Sequence, residues 1–211
     1  MGDFLKKLNM KHKNKIILDL CGGTGAWSKP YKDSGYDVRV ITLPDYDVRQ
    51  WWKYPEIAEP VEQGNVYGII AAPPCTQFSR ARTTAKTARD FLGAMQIVNA
   101  CLEIIHSCQY YHSFYLKFWA IENPRGLLTR FLGKPPFSFQ PYDFGDRYQK
   151  ETYIWGNFNF PKKNSIPLTQ QEIEFSNKNI RPLPKIKGLS VADRRAITPA
   201  GFANAFFKAN P

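Results

Sequence analysis

Apolar residues along this chain fall into short runs separated by longer stretches of helical spacing. Ile16-Ile17-Leu18-Asp19-Leu20 is a compact apolar run that ends in a glycine turn, which predicts a buried strand. Val38 to Leu43 is rich in β-branched residues and stops at Pro44, predicting a second strand. Tyr67 to Ala72 predicts a third, halted by Pro73-Pro74. From about Thr83 to Tyr111, the residues Phe91, Leu92, Met95, Val98, Leu102 and Ile105 recur at helical spacing and predict one long amphipathic helix. Phe118 to Ile121 predicts a fourth strand ending at Asn123-Pro124, and Glu151 to Trp155 a fifth. Strands alternating with helices predict an α/β fold: a mostly parallel sheet with helices on both faces.

The length, 211 residues, suits one domain with a small appendage. Residues 1–156 read as the core. Residues 157–190 change character, being rich in Asn, Lys and Pro with no firm period, and read as an insertion. Residues 191–211 return to the core through a short helix over Thr198 to Asn210 with an Ala-Phe face. Residues 1–15 are basic and polar and read as an arm or a capping helix. A content of 43% hydrophobic and 22% charged residues is that of a globular chain rather than a disordered one. There is no run of about 18 apolar residues, so no membrane span is expected, and the N-terminus lacks a signal peptide's apolar stretch. An intracellular protein is expected.

Charge changes the picture. Lys and Arg number 29 against 18 Asp and Glu, a net +11, which suits a polyanionic partner such as nucleic acid as well as plain solubility. Of the four cysteines, Cys101, Cys108 and His112 share helical spacing but lack a fourth ligand, and no metal site is expected.

Three segments carry candidate chemistry, each directly after a predicted strand. In Asp19-Leu20-Cys21-Gly22-Gly23-Thr24-Gly25-Ala26-Trp27, a strand runs through a glycine loop into a helix. Such a loop brings backbone close to a nucleoside-like ligand at the carboxyl edge of a sheet, or is simply a tight turn. It has no Walker lysine, which argues against a phosphate-binding ATP loop. In Ala72-Pro73-Pro74-Cys75-Thr76-Gln77-Phe78-Ser79, two prolines stiffen the backbone around a thiol, and Arg80 and Arg82 would favour its thiolate form. In Glu122-Asn123-Pro124-Arg125, a carboxylate stands where it faces the same sheet edge, or is a solvated turn residue.

The order of these segments resembles the cytosine-C5 DNA methyltransferases, especially their short, phage-type members. The family's cofactor motif resembles Asp19 to Trp27, with Cys21 in place of its usual Phe and Ala26 in place of a Gly. Its nucleophile loop resembles Pro73-Pro74-Cys75 through Phe78-Ser79, and its Glu-Asn-Val motif resembles Glu122-Asn123-Pro124. Its Gln-x-Arg-x-Arg motif falls near Gln149-Lys150-Glu151-Thr152, where both arginines are missing. The closing motif is echoed by Ala203-Asn204-Ala205-Phe206. The resemblance implies a class I (Rossmann-like) methyltransferase fold that binds S-adenosylmethionine. It implies cofactor contacts from Asp19, Cys21, Gly22, Gly23, Thr24, Gly25 and Trp27, from Pro73, from Asp45 and Asp47 at the ribose and adenine, and from Asn204. It implies a target-recognition role for the 157–190 insertion.

The implied reaction uses Cys75 as nucleophile at carbon 6 of cytosine and Glu122 as an acid at ring nitrogen 3, with Arg125 beside them. The base must be flipped from duplex DNA or arrive single-stranded. Gln77, Ser79, Arg80 and Arg82 are the implied nucleic-acid contacts. An adenine or cytosine amino-methyltransferase would want Asp/Asn-Pro-Pro-Tyr/Phe where Ala72-Pro73-Pro74-Cys75 stands. An RNA C5 enzyme would place its cysteine where Glu122-Asn123-Pro124 stands, although RNA remains open as a substrate of a DNA-type site. A catalytically dead binding module would not need Cys75 and Glu122 together. A monomer in the cytoplasm of a bacterial or phage-infected cell is the expected setting.

Overall fold

The computed structural model describes His12, Arg82 and residues 14–80, 86–112, 115–178 and 187–211. Most of the basic arm, and Lys185 of the insertion, lie outside the described residues. The elements in chain order begin with β1 (Ile16–Leu20), α1 (Lys29–Asp33) and β2 (Asp37–Ile41), then a 3-10 helix at Val48–Lys53. Next come α2 (Pro55–Glu62), β3 (Val66–Ala71), α3 (Phe91–His112), β4 (Phe118–Pro124), α4 (Thr129–Leu132) and β5 (Phe137–Phe139). A second 3-10 helix at Pro141–Phe144, β6 (Thr152–Asn157), α5 (Gln170–Asn177), α6 (Val191–Ala196) and α7 (Ala200–Ala209) complete the chain.

The fold is α/β, as the alternation predicts, but its sheet is mixed. The six strands lie in the order β2-β1-β3-β4-β6-β5. β1 pairs in parallel with β2 and β3, and β3 with β4, while β6 runs antiparallel to both β4 and β5. β5 is absent from the sequence expectation because Phe137-Ser138-Phe139 is too short to show an alternation.

β1 is buried at every position because it lies between two parallel partners with both faces covered. Ile16, Leu18 and Leu20 face one core with Ile57, Val61, Ile104 and Ile105 from α2 and α3. Ile17 faces the other, with Trp27, Tyr31, Phe202 and Phe206 from the segments at α1 and α7. The C-terminus is locked to that second core. Tyr31 donates its hydroxyl to Asn210 O at 2.7 Å, Tyr67 donates to Pro211 O at 2.8 Å, and Phe139 stacks on Phe202 at 3.9 Å.

Two expected boundaries move for local reasons. α3 begins at Phe91 rather than near Thr83, where the Asp90 carboxylate accepts the Gly93 N–H at 2.8 Å and caps the first turn. Its inner face is Val98, Cys101, Ile104, Ile105 and Cys108, whereas Leu92 is 77% exposed. The span Phe91–Tyr110 reaches a mean hydropathy of 1.3, so one helix is long and apolar enough to cross a membrane. It passes by length and composition alone, as a core helix also does, and Gln96, Asn99, Glu103 and His106 interrupt its apolar run. In this fold the helix lies along the sheet. β4 runs past Ile121 through Pro124 because antiparallel pairing with β6 extends it, so Glu122 sits within a strand rather than after one.

The 157–190 insertion is partly built into the core. Phe158 stands 5.4 Å from Phe206, Phe160 stands 5.3 Å from Phe137, and Lys163 pairs with Asp143 at 3.0 Å. Thr169 and Glu172 form a reciprocal capping box that starts α5.

Candidate active site

The four parallel strands end on one edge, and the order reverses at β1, whose neighbours β2 and β3 leave in opposite directions. That is a topological switch point, where a crevice opens outside the carboxyl ends of the strands. A cavity of about 420 Å³ lies there. Its walls include Asp19, Cys21, Gly22, Gly23, Thr24, Ala26 and Trp27 after β1, Thr42 and Leu43 after β2, and Ala72, Pro73, Pro74 and Cys75 after β3. Glu122 and Pro124 come from β4, and Lys150 and residues of the α6 region close the remaining side.

The glycine loop is shaped by its own carboxylate. Asp19 is fully buried and accepts the Ser28 hydroxyl at 2.5 Å. A Cβ on Gly22 would lie 2.5 Å from Asp19 Cγ, so any side chain there displaces the acid. The chain then turns through left-handed Cys21, at φ 56°, and Gly23, at φ 55°. Asp19 Oδ1 is buried with no partner among the described residues. Burial pushes its carboxyl up to about 7 against the opposing hydrogen bond from Ser28.

The cysteine loop is braced on every side. Ala72 N–H donates to Leu20 O at 2.9 Å, and the buried Asn123 amide donates to Pro73 O at 2.9 Å. The Asn of the Glu-Asn pair is therefore the clamp that ties the cysteine loop to β4. Cys75 O accepts from Phe78 N and Ser79 N, closing a turn over the fully buried Phe78. Arg89 donates to Gln77 O and Ser79 O. Its bracing role had no signal in the sequence beyond a basic residue in a loop. Cys75 is half-buried, whereas Cys101 and Cys108 are buried on α3.

Glu122 faces the cavity with its side chain 13% exposed, and Lys150 Nζ lies 3.9 Å from its Oε1. Burial raises the Glu122 carboxyl above its ordinary range, and the Lys150 ammonium partly offsets this. Lys150 is held by its own N–H to Gln140 Oε1 at 2.9 Å and by its ammonium to Arg195 O at 3.4 Å. Sequence reasoning placed a positioning motif at Gln149-Lys150 but did not select Lys150 itself.

The other expected residues stand elsewhere. Arg125 forms an exposed ion pair with Glu151 at 2.8 Å and is outside the cavity lining. Asp45 is exposed, and Asp47 caps the first 3-10 helix while binding Arg49 at 2.6 Å, so β2 reaches the cavity through Thr42 and Leu43 instead. Asn204 is exposed on α7 and donates to Ala200 O. The C-terminal segment instead contributes Leu189, Asp193, Ala196, Ile197 and Thr198. Gln77 and Ser79 brace the cysteine loop, Arg82 donates to Thr87 and Ala88, and Arg80 is exposed. Gly25, at φ 69°, turns the loop and lies in the neighbouring cleft rather than in the cavity wall. Among the described residues no cluster of three or more metal-ligating side chains occurs.

The result is a thiol, a carboxyl raised by burial and an ammonium around one crevice, beside a backbone cradle carrying a buried acid. Comparison with known protein families and with curated proteins finds no match to this chain.

Proposed function

We propose that this chain is an S-adenosylmethionine-dependent methyltransferase of the class I fold, acting on carbon 5 of cytosine in DNA. The observation that carries the proposal is the convergence of Cys75, Glu122 and the glycine loop on one cavity at the switch point of the sheet. The net charge of +11 supports a polyanionic substrate.

The residues present fit the cofactor. Gly23, where a Cβ would meet nothing within 4 Å, leaves backbone open to a ligand, and the unpartnered Oδ1 of Asp19 offers an acceptor to a cationic or N–H-bearing group. Thr42, Leu43 and Trp27 would line its remaining surface. When bound, S-adenosylmethionine supplies an electrophilic methyl group.

The chain's own residues then do the following. Cys75 Sγ, as thiolate, bonds to carbon 6 of a flipped cytosine and makes carbon 5 nucleophilic. Glu122, its carboxyl raised by burial, holds a proton at ring nitrogen 3 and stabilises the adduct. Lys150 limits how far that carboxyl rises. After methylation, loss of the proton from carbon 5 expels the Cys75 thiolate and restores the ring. Pro73, Pro74 and Asn123 keep Sγ in position throughout.

DNA bearing 5-fluorocytosine tests the reading, because fluorine at carbon 5 cannot leave as a proton does. A denaturation-resistant complex should form only with the cofactor, and not with Cys75→Ala. Equal trapping by that variant would refute the role of Cys75.

A further inference from the structure

We propose that a second, basic cleft beside the Cys75 cavity binds the phosphodiester backbone of nucleic acid through Lys32 and Arg194. The cleft encloses about 720 Å³ and shares Thr24, Ala26, Ile197 and Thr198 with the cavity, so the two adjoin across one wall. Its charged lining is Lys29 and Lys32 from α1, Arg194 and Arg195 from α6, and the acids Asp33 and Asp146.

These charges do not cancel. Lys29 pairs with Asp33 at 2.6 Å. Asp146 accepts the Gly201 N–H at 3.0 Å and pairs with neither Lys32 nor Arg194. Lys32 and Arg194 make no ion pair among the described residues. Arg194 Nε is also buried without an acceptor among the described residues. A charged donor buried in that way is costly unless an anion meets it.

The neighbouring cavity has the opposite lining. Asp19, Glu122 and Asp193 face Lys150, its single cation among the described residues. It offers a phosphate a single cation, itself set against Glu122, whereas a neutral base finds hydrogen-bonding groups there. The two adjoining sites therefore sort the parts of one nucleotide strand: base into the acid-lined cavity, phosphates along Lys32 and Arg194. Phosphate contacts of this kind fix register and carry no sequence information.

This inference rests on the reading of nucleic acid as substrate. The test is fluorescence anisotropy of a labelled DNA oligonucleotide, without cofactor, across a salt series, for the unmodified chain, Lys32→Glu and Arg194→Gln. Lys32 is exposed and Arg194 half-buried, and thermal melting checks that each variant folds. Lys53→Gln, exposed on the first 3-10 helix and lining neither cleft, is the control. Each cleft variant should weaken binding by roughly tenfold at moderate salt and lower the slope of log K against log salt by about 0.9. Inorganic phosphate should compete only at high concentration. Unchanged affinity and slope in both cleft variants would overturn the cleft while leaving the Cys75 reading intact. Tight competition by inorganic phosphate would instead assign the cleft to a small phosphate ligand and overturn the backbone proposal. Absence of DNA binding by the unmodified chain would sink the substrate reading as well.

Discussion

The parallel half of the sheet and its antiparallel edge treat the same residue types in opposite ways. At the parallel strand ends, the carboxyls of Asp19 and Glu122 are raised by burial, and Asp19 Oδ1, Asn123 Oδ1 and Trp27 Nε1 are buried without partners among the described residues. Along the antiparallel edge, carboxylates are satisfied. Asp143 is pushed up by burial, but the Gln140 N–H, the Ser165 hydroxyl and Lys163 outweigh this and hold it low. Glu172 is held down at about 2, first by Arg147 and then by Thr169. The edge spends its polar groups on capping boxes and ion pairs that stabilise the fold. The strand ends leave theirs open, which costs stability and is typical of sites that bind or react. The thiols divide similarly. Burial pushes Cys108 up to about 12, whereas Cys75 lines the cavity.

The largest effect expected from this contrast is loss of methyl transfer in Cys75→Ala, by about 10³-fold or more, with the melting temperature nearly unchanged. A steady-state assay with radiolabelled cofactor measures it, and retained turnover would place Cys75 with the inert thiols. Glu122→Gln should lower kcat by roughly 10²–10⁴-fold while cofactor affinity, read by calorimetry, stays close to the parent value.

Gly22→Ala pushes a methyl into the Asp19 carboxyl and should cost about 1–3 kcal/mol in denaturant unfolding, with weakened cofactor binding. An unchanged unfolding midpoint would mean that the loop can yield. The Asp19 carboxyl has a second consequence. Its folded value, about 7, lies above the ordinary 3.8, so the folded chain binds the extra proton between those values. Its contribution is therefore complete at low pH and is lost as pH rises from about 4 to 7. Asp19→Asn should flatten that part of the curve of melting temperature against pH; a curve parallel to the parent's would show that other groups cause the slope.

Lys150→Met removes the charge that opposes the rise of the Glu122 carboxyl. Glu122 should then keep its proton to higher pH, moving the alkaline limb of the kcat profile upward. A limb that stays in place would separate Lys150 from Glu122. The smallest change belongs to Asp47→Ala, which removes a 3-10 cap and should cost about 1 kcal/mol, with cofactor affinity almost unaffected because Asp47 is spent on Arg49. A large loss of affinity would restore the cofactor contact expected from the sequence.

The positions of the three chemical loops were legible in the sequence because each is local: an apolar run broken by glycine, by two prolines or by Asn-Pro. The same locality exposed β1, β3 and the long helix, whose periods depend on neighbouring residues. What depends on distant partners was not legible. Glu122 belongs to a strand only because β6 pairs with it, and β5 exists only as the edge partner of β6. Arg125 and Asp47 are site residues by the family resemblance, yet the ion pairs with Glu151 and Arg49 direct their charges elsewhere. Lys150 and Asp193 reach the cavity because the antiparallel edge and the C-terminal return bring them there. The sequence by itself determined which candidate reactive groups this protein carries and that they lie at or near strand ends. The tertiary structure decided which of them share a cavity, since burial and opposing charges, the causes of each raised or lowered carboxyl, arise only when distant segments meet.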